Sequence, residues 1–194
     1  MSDIDNLRIA PWRLDTEEVL GEGALGIVYR GTWTRGNKTT WEEDVAIKLL
    51  KDPLLIDKAE AEVLRMSRLD HPNIVKCFGI SFPNETPWIV MECMTGGDLL
   101  SYICNYAGGM PVDTMTQLAY GIALGMQYLH HTADQYHGDL AARNCLIGPN
   151  NTIKVGDFGK FDNDYEDSYF DWNHGQVCAK FLIYFSLVTI FTSL

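Results

Sequence analysis

Residues 137–159 read HGDLAARNCLIGPNNTIKVGDFG, and the rest of the chain is interpreted outward from this stretch. It carries two carboxylates, Asp139 and Asp157, and one amide, Asn144, in a loop punctuated by Gly, Asn and Pro between apolar runs. A loop of that composition aims several polar side chains at one point without needing a shared helix face. One carboxylate placed to accept a proton, with further oxygen donors suited to a hard divalent cation, is what transfer of a phosphoryl group demands.

The 194 residues are 46% hydrophobic and 21% charged, the balance of a globular chain able to bury a core. A formal charge of −11 argues against nucleic acid, or an anionic membrane surface, as the main partner. Five cysteines (Cys77, Cys93, Cys104, Cys145 and Cys178) are scattered, with no CxxC pair. They read as reduced thiols rather than a disulfide framework or zinc site, so the expected location is cytoplasmic. The opening MSDIDNLRIAPWRL lacks the apolar core of a signal peptide. The Asn-x-Thr sequons at Asn37, Asn84 and Asn150 are then chance matches.

Upstream, EEVLGEGALGIVYRGTW has the apolar–turn–apolar pattern of a hairpin bent around glycines. Gly21, Gly23 and Gly26 fit GxGxxG, with Val28 two residues on. A dinucleotide fold needs the third glycine to open a helix, whereas Ile27-Val28-Tyr29 predicts a strand. Val45-Ala46-Ile47-Lys48 follows as a second strand, and alternation places Ala46 and Lys48 on one face. Residues 57–69 carry a helical pattern. Glu60 and Glu62 both lie near enough to reach Lys48, but they sit about 200° apart on a helix, so only one faces it. Glu62 is chosen because Met66, one turn on, continues the buried face. His71, opening HPNIV, reads as a capping or turn residue. From Thr114 the spacing predicts the clearest helix, through Leu118, Ile122, Met126 and Leu129, with Thr114 and Gln117 as a capping box. Gly121 and Gly125 inside it point to close packing rather than a membrane GxxxG.

In this order, GxGxxGxV, VAIK, a helix glutamate, DLAARN and Asp-Phe-Gly resemble a protein-kinase catalytic domain over residues 18–159. DLAARN is the form used by tyrosine kinases, especially receptor tyrosine kinases. MECMTGGDLLSYI is similar to the sevenless/ROS and anaplastic-lymphoma-kinase branch, near the insulin receptor. The resemblance implies a bilobal α+β fold: an N-lobe antiparallel sheet plus one helix, then an incomplete helical C-lobe. The expected divisions are a lead-in at 1–14, the N-lobe at 15–92, a partial C-lobe at 93–175 and an apolar tail at 176–194.

It also implies roles. Asp139 is the base toward the substrate tyrosine, with Arg143 near the incoming phenol. Asn144 and Asp157 bind Mg²⁺. Lys48, held by Glu62, grips the α- and β-phosphates of ATP, and Gly21, Gly23 and Gly26 cover them. Leu20, Val28, Ala46 and Leu146 sandwich the adenine, Met91 is the gatekeeper, and the stretch from Glu92 to Met94 forms the hinge. The partners implied are ATP and a protein bearing an acceptor tyrosine. The alternative reading is a weak or inactive fragment that binds nucleotide or a partner, because the substrate-binding loop and Ala-Pro-Glu are missing from the sequence.

Three further features stand out. Gly138 replaces the arginine of His-Arg-Asp, which removes the usual contact to a phosphorylated loop. Tyr165 and Tyr169 fall where insulin-receptor-like kinases carry Tyr-x-x-x-Tyr-Tyr, here among acidic residues. Residues 181–191 are apolar and uncharged, short for a membrane span. The tail reads as an interfacial or aggregating segment or, the favoured reading, as the translated edge of an intron or a truncated gene model, with membrane attachment only weakly through it or through a parent receptor.

Overall fold

A computed structural model describes residues 3–23, 26–36, 39–106 and 109–157. Tyr165, Tyr169 and the apolar tail lie outside the described residues. The chain divides into two compact units, one comprising 1–70 with 75–94 and the other 71–74 with 95–194. Segment 71–74 thus belongs with the second unit, and the division falls after Met94.

The first unit is an antiparallel sheet of five strands in the order β1-β2-β3-β5-β4: β1 Leu14–Glu22, β2 Gly26–Arg35, β3 Trp41–Leu50, β4 Cys77–Ser81 and β5 Trp88–Glu92. Alternation along β3 divides its side chains between the two faces. Val45 and Ile47 join Val90, Leu14 and Ile9 in a core to which Trp33, Phe78 and Trp88 add their rings. Ala46 and Lys48 point the other way, both buried. Helix α1, Ile56–Met66, buries the stripe Ala59, Val63 and Met66 and packs on β4. It ends three residues before the 57–69 boundary expected from periodicity. Leu69 is nonetheless buried, its backbone N–H donating to the Met66 carbonyl in a turn beyond the helix.

The lead-in is anchored to the first unit. Ile4 and Ile9 are each only 8% exposed, and the Ile9 backbone N–H donates to the Ile80 carbonyl at 2.8 Å. Two isoleucines in a charged stretch are too few for a periodic signal; the Ile4 segment packs on α1 and β4, and Ile9 joins the core of Leu14, Val45, Ile47 and Val90.

In the second unit, helix α2 is Leu99–Cys104, helix α3 is Val112–Gln127 followed by a wider π turn at Tyr128–Thr132, and β6 Cys145–Ile147 pairs antiparallel with β7 Ile153–Val155. The capping box is not formed. Helix α3 starts two residues earlier, after Pro111, so Thr114 already lies in the first turn and no side chain caps the end. Proline holds the residue before the helix at φ −56°, and Asp113 supplies the acidic charge that a helix N-terminus favours. The helical glycines do mark close packing, though against strand and loop rather than another helix. A Cβ at Gly121 would run into the Ile153 side chain, and one at Gly125 would sit 2.6 Å from the Asn73 carbonyl oxygen. Asn73 fastens the same region, donating from Nδ2 to the Ile153 carbonyl at 2.9 Å and accepting the Val155 N–H at its own carbonyl. His71 is a turn residue whose Nδ1 accepts the Asn73 N–H and whose ring stacks on Tyr128. Among the described residues no helix is long and apolar enough to cross a membrane.

Candidate active site

The expected site residues form one constellation in each unit. In the first unit, the glycine hairpin joins β1 to β2, with the Gly23 N–H donating to the Gly26 carbonyl at 2.9 Å. Gly21 and Gly23 face open space, so a Cβ there would meet nothing within 4 Å. Gly26 is different, because a Cβ would strike the Leu49 carbonyl oxygen of β3. Its lack of a side chain is what lets β2 lie against β3 at that point. Leu20 is about half exposed, and β1 carries irregular pairing on both sides of Val19. Val28 pairs with Lys48 across the sheet, and Ala46 pairs with Met91. Glu92 accepts the Lys76 N–H on Oε2 and donates its own N–H to the Lys76 carbonyl, while Met94 is buried.

Lys48 Nζ lies 3.7 Å from Glu62 Oε1, and both side chains are nearly enclosed, at 11% and 12% exposure. Glu60 faces elsewhere and meets Arg8 at 2.9 Å. The periodicity argument for Glu62 therefore matches the geometry, and the physical reason is the buried stripe. Ala59, Val63 and Met66 set the helix rotation, and that rotation turns residue 62 toward β3. Burial also pushes the Cys77 thiol up to about 12, with the Glu62 charge adding to it.

In the second unit, the Asp139 carboxylate is 6% exposed and held from two sides. Arg143 Nη2 donates to Oδ1 and to Oδ2, each at 2.8 Å. Asn144 Nδ2 donates to the Asp139 carbonyl at 2.7 Å and to Oδ2 at 3.2 Å. Because Asn144 spends its N–H donors on Asp139, its amide oxygen is the end left for a cation. Asp157 is exposed and has φ +56°, a left-handed conformation that side chains seldom adopt. An amide oxygen and a carboxylate are the hard oxygen donors that Mg²⁺ takes, with water and phosphate completing its shell. Leu146, on β6, is half-buried and bridges to Asp98.

Sequence reasoning passed over His137, which organises this loop. It is 1% exposed, its Nε2 makes a 2.8 Å hydrogen bond with the Gly156 carbonyl, and its Nδ1 accepts the Asp139 N–H. Nε2–H is therefore the donor and the ring is neutral. Burial holds its pKa below the ordinary value, against the opposing pull of that carbonyl and of the Asp157 and Asp139 charges. The available signal was a histidine two residues before an acid inside a Gly-rich loop. Gly138, between them, takes φ +75°, which glycine adopts freely and arginine does not. The Gly156 N–H donates to the Asn144 carbonyl at 2.9 Å, so the segments carrying Asn144 and Asp157 are tied directly.

Residues 14–183 match the family described as protein tyrosine and serine/threonine kinase. Among individual proteins, the chain is similar to tyrosine-protein kinase Fer of Mus musculus, 38% identical over 156 residues, covering 76% of this chain and 18% of that protein. Cytoplasmic tyrosine-protein kinase BMX of Mus musculus is 33% identical over 187 residues, covering 93% of this chain and 27% of its own length. The tyrosine-protein kinase receptor svh-2 of Caenorhabditis elegans is 35% identical over 159 residues, 81% of this chain and 14% of the receptor. The chain thus spans under a third of each relative. Their names divide between receptor and cytoplasmic kinases, so the likeness reaches the tyrosine-kinase catalytic domain and not a branch within it. With this fold, these two constellations and these likenesses, the chain belongs to the protein kinase family and is related to its tyrosine kinases.

Proposed function

We propose that the chain is an ATP- and Mg²⁺-dependent protein tyrosine kinase catalytic domain, transferring the γ-phosphoryl group of ATP to a tyrosine of a protein substrate. The observation that carries this reading is the buried Asp139 carboxylate, oriented by Arg143 and Asn144 on a loop tied to the segment of Asp157. Asp139 accepts the proton of the tyrosine hydroxyl at a carboxylate oxygen, and Arg143 holds that carboxylate in place. Asn144 and Asp157 hold Mg²⁺ through oxygen, and Lys48, steadied by Glu62, holds the nucleotide phosphates. The backbone from Glu92 to Met94 reads the adenine edge, and Leu20, Val28, Ala46 and Met91 give it apolar surroundings. Bound Mg·ATP supplies the phosphoryl group and the counter-charge on its oxygens.

The DLAARN order supports placement among receptor-type kinases, and the reduced, buried Cys77 and Cys145 accord with a cytoplasmic-side location. A second reading, a nucleotide-binding fragment with little turnover, draws on Arg143 occupying both Asp139 oxygens.

Transfer of labelled phosphate to a tyrosine peptide, compared between wild type and Asp139→Asn, tests the first reading. The variant should lose about 10²–10⁴-fold in rate, the usual contribution of a general base. Equal rates, or no transfer by either chain, would remove it. Nucleotide binding without transfer would select the second reading.

A further inference from the structure

We propose that Arg8 is a positioning residue: through Glu60 it holds helix α1 at the rotation at which Glu62 meets Lys48. The consequence for phosphate binding rests on the kinase reading above. The geometry does not.

The segment bearing Arg8 has a built seat on the edge strand β4. Arg8 forms a parallel bridge with Ile80, the Ile9 N–H donates to the Ile80 carbonyl, and Ile4 and Ile9 are buried. Gly79 makes the seat possible, since a Cβ there would collide with the Leu7 carbonyl oxygen. From this seat the Arg8 guanidinium reaches Glu60 Oε1 at 2.9 Å, lies 3.7 Å from Asp5 Oδ1, and stands 5.0 Å over the Phe82 ring. A planar cation backed by a ring and a carboxylate is aimed, not swinging free.

Helix geometry supplies the rest. At about 100° per residue, Glu60 and Glu62 fall on opposite edges of the Ala59, Val63 and Met66 stripe. Lys48 holds one edge and Arg8 the other, so the two ion pairs oppose rotation in both senses. The Lys48–Glu62 separation of 3.7 Å is already long for an ion pair, and a small rotation away from β3 breaks it. Arg8 is half exposed, and an exposed pair adds little to global stability. Its effect falls on helix orientation.

The test is the rate at which an amine-selective acylating reagent modifies Lys48 in the full chain, read by mass spectrometry beside the melting temperature. An ammonium engaged with a carboxylate is withheld from acylation. Arg8→Ala and Glu60→Gln should each raise labelling at Lys48 by about threefold, the scale of one exposed pair, with Tm nearly unchanged. Arg8→Lys, which keeps the charge but not the planar fork over Phe82, should fall between wild type and Arg8→Ala. Equal Lys48 labelling in wild type and Arg8→Ala overturns the proposal. So does a rise shared equally by Lys51, Lys58 and Lys76, which would mean general loosening. In wild type, protection of Lys48 by Mg·ATP checks the kinase reading separately; its failure would leave the comparison between variants standing.

Discussion

Asp139 and Lys48 carry ionisable side chains set largely inside the protein, and each faces a partner of opposite charge type, Arg143 and Glu62 respectively. Lys48 and Glu62 are both nearly enclosed, so removing Glu62 costs up to about 3–5 kcal/mol, whereas Arg143 is half exposed and solvent screens its pair. The buried thiols are the contrasting case, because nothing near Cys145 stabilises a thiolate and burial alone pushes it up to about 12. Cys77 is pushed up to about 12 as well. Both should resist a maleimide at pH 8 in the native chain, while exposed Cys104 reacts within minutes. Mass spectrometry of each cysteine peptide checks this, and labelling of Cys77 or Cys145 as fast as Cys104 would contradict the burial described.

At the scale of elements, helix α3 reverses the usual rule for glycine. Glycine to alanine inside a helix normally gains about 1 kcal/mol. At Gly125 the new methyl would press on the Asn73 backbone, and overpacking of this kind costs about 1–3 kcal/mol. Gly125→Ala should therefore lower stability in a urea titration by about 1–2 kcal/mol. Gly121→Ala should do the same, since its Cβ would strike Cγ2 of Ile153, a buried β-branched side chain stiff at χ1, and lie 2.9 Å from Asn73 Nδ2. A gain in stability at Gly125 would mean that the helix does not lie against Asn73.

For the whole molecule, ligand and proton linkage are the accessible readouts. Mg·ATP binds only folded chain on the proposed reading, so it must raise the melting temperature, and Lys48→Met should reduce that rise. Differential scanning fluorimetry with and without Mg·ATP decides it; an identical rise in the mutant would exclude Lys48 from the phosphate grip. The pH dependence follows from His137, whose folded pKa lies below its ordinary 6.5 because of burial. Between that lowered value and about 6.5 the unfolded chain binds the extra proton, so stability falls as pH drops through this window. The slope is at most about 1.4 kcal/mol per pH unit for one proton, and His137→Gln should remove it. Chemical denaturation between pH 5 and 8 measures both chains, and parallel slopes would show that His137 is not the group responsible.

The sequence by itself determined what depends on short-range rules. Glycine spacing followed by β-branched residues indicated a hairpin, the period of 3.6 along residues 57–69 selected Glu62 over Glu60, and the ordered motifs carried the fold and the family. The start of helix α3 was misjudged because Thr114 and Gln117 satisfy a capping pattern just inside the place where Pro111 begins the helix. Only the tertiary structure decided the remainder. It buried Ile4 and Ile9, turned Arg143 onto both oxygens of Asp139, and tied His137 to Gly156, nineteen residues away. Arg143 and Asp139 are only four residues apart, though not on one regular helix; the other contacts join residues distant in the chain. Their energies come from burial and from pairing groups distant in the chain, which local propensity does not encode.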